Sequence, residues 1–158
     1  MSRLLLLASS MWLIAGCQTA ASATRASPTR TEDPVEIKEL LLQYQQALNQ
    51  SDAKAVMALY GREPVFMPQH APAMVGRDAV HAAYDHVFAT LRLAVRFEVH
   101  EVEVLGDQAW ARTSSAGQQT LLATGQVKEE GNNELFVLRR EAGAWRIHRY
   151  LFATNRAP

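Results

Sequence analysis

The sequence predicts an α+β fold: three helices followed by a strongly curved, mainly antiparallel sheet, the two layers enclosing a cone-shaped cavity. Two observations carry this. Apolar residues recur at three- and four-residue spacing as far as Thr90, then at alternate positions from Phe97 onward. Clusters of turn residues also divide the second half into short segments, as in a run of hairpins.

Asp33-Pro34-Val35-Glu36 reads as a helix start. Asp33 can accept early amide hydrogens, Pro34 suits the first turn, and Glu36 can reach back as in a capping box. Ile37, Leu40, Leu41, Tyr44, Ala47 and Leu48 then form one core-facing stripe, ending near Asn49-Gln50. Asp52 caps a second, short helix with Val56, Leu59 and Tyr60 inward, stopped by Gly61. Pro64 to Met67 reads as a short strand, and Pro68 to Val75, with two prolines, as loop. A third helix runs from Arg77 to Thr90, with Val80, Tyr84, Val87 and Phe88 on one side. Strands are expected at Phe97–Leu105, Gln108–Ala116, Gly117–Val127, Glu134–Arg140 and Trp145–Ala153. Turns are expected at Gly106-Asp107, Glu130-Gly131-Asn132 and Glu141-Ala142-Gly143.

The chain ahead of this domain carries a different signal. Arg3 precedes an apolar run from Leu4 to Ile14, then Ala15, Gly16 and Cys17, the one cysteine of the sequence. A membrane span needs roughly 20 apolar residues, about twice this run. The pattern resembles a bacterial lipobox, which implies a signal peptide over residues 1–16 and lipid on Cys17. Residues 17–31 are then a lipidated start and flexible tether, and 32–158 the domain. Gln18 after the cysteine points, by the same resemblance, to a cell-envelope protein held through lipid at the outer membrane, facing the periplasm, where the organism has one. With 16 basic and 16 acidic residues the net charge is zero, so no basic excess exists for nucleic acid. His81 and His86 are five apart and lie on different helix faces. No zinc site, phosphate loop or nucleophile motif is apparent, and neither metal nor cofactor is expected.

Tyr44 to Asp52 with Ala58-Leu59-Tyr60, then Val65-Phe66-Met67-Pro68 and Val75 to Val80, resemble the opening of the nuclear-transport-factor-2-like superfamily. Glu134 to Arg140 and Trp145 to Phe152 resemble its SnoaL-like branch, in particular the SgcJ/EcaC group. The resemblance implies a conical barrel, usually a homodimer through the outer sheet face, with an apolar pocket. Tyr60, Phe66, Met67, Tyr84 and Phe88 are expected around that pocket. Strand parity groups Trp110, Arg112 and Ser114, and separately His148, Tyr150 and Phe152. By resemblance both groups look into the cone.

Members with this fold include steroid isomerases, cyclases and non-catalytic modules, so the site must decide the function. Steroid isomerase chemistry needs a carboxylate base, a tyrosine donor and a protonated acid. Tyr44 matches the tyrosine by resemblance. Met67 stands at the base position and cannot take a proton. By the same resemblance the acid donor falls near Leu135, and Glu134, one residue off, is expected on the opposite face. That chemistry is therefore not expected. His148 with Tyr44 could move protons instead, with Arg112 holding an anionic group. Alternatively, His148 and Arg112 pair with carboxylates or face solvent, and Tyr44 is core. Three functions stay open: binding a small apolar or amphiphilic molecule, which the missing base favours; a cofactor-independent isomerase, cyclase or hydratase; and a dimeric interaction module.

Overall fold

A computed structural model describes residues 30–156. The expected signal peptide, the lipid on Cys17 and nearly all of the tether lie outside the described residues. The elements in chain order are α1 (Asp33–Asn49), α2 (Ala53–Leu59), β1 (Tyr60–Met67), β2 (Met74–Val75), α3 (Arg77–Thr90), β3 (Leu91–Leu105), β4 (Gln108–Leu121), β5 (Val127–Glu141) and β6 (Ala144–Thr154). One six-stranded sheet has the order β2-β1-β6-β5-β4-β3 and stays open, with β2 and β3 as its edges. β1 and β6 run parallel, and every other neighbouring pair is antiparallel.

The helical stripe read from the sequence is the core face of α1: Ile37, Leu40, Leu41, Tyr44, Ala47 and Leu48 are all buried. Fully burying a side chain such as Ile37 or Leu41 stabilises by roughly 1.5–3 kcal/mol, so this stripe holds the helix on the sheet. Side chains complete the attachment. The Asn49 amide accepts from the Val95 backbone N–H (2.9 Å) and donates to its carbonyl (2.8 Å), acting as one more strand partner at the end of α1. Asp52 caps α2 as expected, accepting from the Ala55 N–H at 2.8 Å. The Arg77 guanidinium donates to the carbonyls of Met57, Tyr60 and Gly61, satisfying groups freed where α2 ends.

Asp33 departs from expectation. It is the first residue of α1, after Glu32, and its side chain caps nothing. Its carboxylate is fully buried instead. It accepts from the Arg140 guanidinium (2.6 Å), the Trp145 indole (3.3 Å) and the Arg30 amide (2.8 Å). Burial alone would raise its pKa, but these donors outweigh it and the net direction is downward. Arg140 also stacks on Trp145 at 4.3 Å. The start of α1 is thus clamped to the β5–β6 hairpin. Glu36 does not reach back; it pairs with Arg30 at 3.3 Å.

The strand boundaries also change. Gly117 and Glu130-Gly131-Asn132 read as breaks but lie inside the continuous strands β4 and β5. Gly117 is where β4 runs against the backbone of Ala94 on β3, leaving no room for a side chain, and Gly131 lies under Asn155 and Arg156. The real turn spans residues 122–126, where Gly125 takes a φ of 70° and donates to the Leu121 carbonyl. β3 begins at Leu91, directly after α3, and the short β2 lies inside the expected loop.

Candidate functional site

A cavity of about 270 Å³ lies between the helices and the inner sheet face. Tyr44 and Leu48 of α1 and Tyr84 and Val87 of α3 form its helical side; Leu93, Val95 and Phe97 of β3, with Phe66, Tyr150 and Phe152, form its apolar sheet side. Aromatic rings interlock around it. Phe66 stacks against Tyr84 (5.1 Å) and Tyr150 (5.5 Å), and Phe136 lies behind Tyr150 at 4.3 Å. Behind the helical wall three hydroxyls form a chain, Tyr44 to Tyr84 at 2.5 Å and Tyr84 to Tyr60 at 2.9 Å.

The remaining wall, from β4 and β5, is polar: Ser115, Gln119, Glu130, Asn132 and Glu134. Glu134 is only 4% exposed, whereas Leu135 is 40% exposed. Thr113 donates to its Oε2 at 2.6 Å; Ser115 (2.8 Å) and Tyr150 (3.2 Å) donate to its Oε1. Burial pushes this carboxyl up; the three donors pull it down, nearby Glu130 adds to the rise, and the value settles at about 7. Burial also raises Tyr44, Tyr60, Tyr84 and Tyr150 well above the ordinary phenol value, so they stay protonated. A neutral carboxylic acid in an apolar hollow can donate to a ligand oxygen; its ionised form can accept a proton.

The expectation for Glu134 is therefore reversed: it points inward, and Leu135 points out. Several expected pocket residues also change face. The inward residues of β4 are Ala109, Ala111, Thr113 and Ser115. Trp110, Arg112 and Ser114 lie on the outer face, where Arg112 pairs with Glu101 (3.2 Å) and Ser114 with His100 (2.8 Å). Met67 lies opposite the exposed Leu151 and is outside the cavity wall. β6 carries one extra residue: Ile147 faces Leu138 and Arg149 faces Val137, so His148 is the bulge. The bulge shifts the parity, so Ile147, Tyr150 and Phe152 share the inner face and His148 does not. Its ring is buried with neither nitrogen partnered, and burial together with Arg149 and Arg139 lowers its pKa.

Among the expected residues, the structure brings Tyr44, Phe66, Tyr84, Tyr150 and Phe152 to the cavity. Tyr60 reaches it only through its bond to Tyr84, and Phe88 packs behind Tyr84 at 5.9 Å. Thr113, Ser115, Asn132 and Glu134 were missed. The one available signal was that Glu134 is in phase with Phe136 and Leu138, but Leu135 and Val137 are apolar too, so both phases look buried in sequence. Among the described residues no group of three or more His, Cys, Asp or Glu could hold a metal ion.

Comparison with known proteins follows this geometry. Residues 29–150 match the model of the SnoaL-like domain. A ketosteroid isomerase-like protein from Erwinia carotovora atroseptica SCRI1043 is 33% identical, with a TM-score of 0.77 over 81% of this chain and 100% of that one. An NTF2-like protein with a cystatin-like fold from Novosphingobium aromaticivorans is 24% identical, with a TM-score of 0.65 over 80% of this chain and 84% of that one. A domain of unknown function with a cystatin-like fold from Nostoc punctiforme is 20% identical, with a TM-score of 0.67 over 82% and 81%. The last two show the shared fold. No curated protein matches the chain.

Proposed function

The chain belongs to the SnoaL-like domain family, and on that premise we propose that its cavity binds a compact, largely apolar molecule and holds one oxygen of it on the Glu134 carboxyl. The observation that carries this is the protonatable Glu134 set in an aromatic hollow, bonded on both oxygens yet titrating at about 7. Size narrows the occupant. A dry cavity of about 150 Å³ holds one benzene, and drug-sized pockets start near 300 Å³. A cavity of about 270 Å³ therefore suits a molecule of one or two rings. A carbonyl is the natural partner for Glu134, because a neutral acid donates to it without an opposing charge.

A second reading adds turnover at the same residues. A carboxyl with a value of about 7 is half-protonated near neutrality, the condition for general acid–base work. The likeness to a ketosteroid isomerase-like protein supports it; Met67 at the base position weighs against steroid isomerisation itself. Proton transfer would rest on Glu134 rather than on His148.

Calorimetric titration with 1-indanone, 1-tetralone and acetophenone at pH 6 tests the binding reading. Saturable binding of at least one ketone is expected, weakened about tenfold by Glu134→Ala and weakening in wild type as pH rises past 7. Absence of binding by all three, or indifference to Glu134→Ala, overturns it. The Leu13-to-Cys17 motif supports an envelope location through lipid on Cys17. Labelled palmitate should enter wild-type protein but not Cys17→Ser.

A further inference from the structure

The polar wall of the cavity carries acids and no base. Glu134 and the half-buried Glu130 both line it, and among the described residues no lysine, arginine or histidine does. Arg156 approaches β5 from outside that wall, donating to the Glu130 backbone carbonyl at 3.5 Å. Thr113, Ser115 and Tyr150 all donate to the Glu134 oxygens, an arrangement that favours the ionised form. The titratable groups facing it are Glu130 from β5, Tyr150 from β6, Tyr44 from α1 and Tyr84 from α3, and the three phenols stay protonated. Above pH 7 Glu134 is therefore a carboxylate with hydrogen-bond donors but no counter-ion. Six aromatic rings line the same space: Tyr44, Phe66, Tyr84, Phe97, Tyr150 and Phe152. The faces of such rings are electrostatically negative and attract cations. Among the described residues no third His, Cys, Asp or Glu joins the two acids, so a bare metal ion is poorly served.

We propose that the cavity takes a second class of ligand, a compact ring molecule bearing one ammonium group, with the ammonium bonded to the Glu134 carboxylate among the aromatic rings. This shares the cavity and Glu134 with the binding reading above but does not depend on the ketone. An ammonium taken out of water alone is costly; a carboxylate partner and ring faces offset that cost. Glu130 adds a second negative charge on the same wall. The protonation state of one side chain then chooses between the ligands. The neutral acid donates to a carbonyl, and the carboxylate accepts from an ammonium. An ammonium that meets protonated Glu134 sends its proton to solvent, whereas a ketone that meets the carboxylate draws one in. The cavity of about 270 Å³ sets the same limit of one or two rings.

The experiment titrates 1-aminoindane, the amine counterpart of 1-indanone, into the intact chain at pH 6, 7 and 8, with indane-1-carboxylate as the reversed charge. With Glu134 titrating at about 7, its ionised fraction rises about tenfold from pH 6 to pH 8. Amine affinity should rise about tenfold with it, and 1-indanone affinity should fall by about as much. Calorimetry at pH 7 in buffers of different ionisation enthalpy counts the protons. About half a proton should leave per amine bound, and about half should be taken up per ketone. Glu134→Gln should weaken the amine at least about tenfold at pH 8. Because that variant could fold poorly, the proton count on wild type stands as an independent readout. The inference is overturned if the amine does not bind at pH 8, if its affinity does not rise with pH, if no proton leaves at pH 7, or if the indane carboxylate binds equally well at pH 8. 1-Indanone reports on the binding reading separately. A ketone bound with the amine refused leaves that reading standing without this inference; an amine bound with every ketone refused leaves this inference standing without the ketone.

Discussion

A carboxyl enclosed by aromatic rings costs less free energy protonated than ionised, and Glu134 is in that position. Its folded-state value of about 7 lies above the ordinary 4.5. Between those values the folded chain holds a proton that the unfolded chain releases. The stabilisation is therefore complete below pH 4.5 and is lost as the pH climbs to 7, a total of about 3 kcal/mol at 1.36 kcal/mol per pH unit. Glu134→Gln removes this dependence. Urea unfolding at pH 4.5 and pH 8 should show the variant gaining about 3 kcal/mol on wild type across that interval; a constant difference would refute the assignment. His148 makes the opposite case. It is a bulge residue on the far side of β6 from the cavity, so His148→Ala should leave ketone affinity within about twofold of wild type. A loss of binding by titration would place the imidazole in the site after all. Neither role could be read from the strand sequence: both phases of β5 around Glu134 are apolar, and a single extra residue in β6 reverses which side chains face in at His148.

At the scale of elements, the joint between α1 and the β5–β6 hairpin carries a sharper consequence than the helix stripe. Asp33 and Arg140 meet at 2.6 Å beneath Trp145, nearly closed off from water. Removing one partner leaves the other charge buried. Asp33→Ala should lower stability by about 3 kcal/mol, moderated by the contact of Arg140 with Asp107 at 3.2 Å. The double variant Asp33→Ala, Arg140→Met should recover much of that loss in urea titrations, because no charge is then stranded. Two equal, additive losses would show that the pair is not coupled. The helices were legible because their apolar period is local and long: all six stripe residues of α1 are buried as read. The strands were less so. Glycines that look like breaks, Gly117 and Gly131, are positions where another segment crowds the strand. That crowding comes from residues far along the chain.

At the scale of the whole molecule, the cone has two unlike ends. The Asp33, Arg140 and Trp145 cluster closes one, while the cavity lies toward the other, among Leu48 at the end of α1, Val87 at the end of α3, Leu91 at the start of β3 and Phe152 near the end of β6. The tether from Cys17 that we propose would reach α1 through Arg30, whose backbone N–H is bonded to Asp33 at the closed end. Lipid attachment should therefore leave the cavity free. Vesicle-bound lipidated chain and Cys17→Ser should bind 1-indanone equally, and loss of binding on vesicles would contradict this polarity. The three helices, the core stripe of α1 and the aromatic residues of the hollow were legible in the sequence alone, since periodicity and residue chemistry are local properties. Which face of each strand looks inward, and with it Glu134, Asn132 and the exclusion of Arg112 and His148, was decided only by tertiary structure. A bulge and two-faced apolar strands leave parity ambiguous until the sheet curves around the helices and one face is shut off from water.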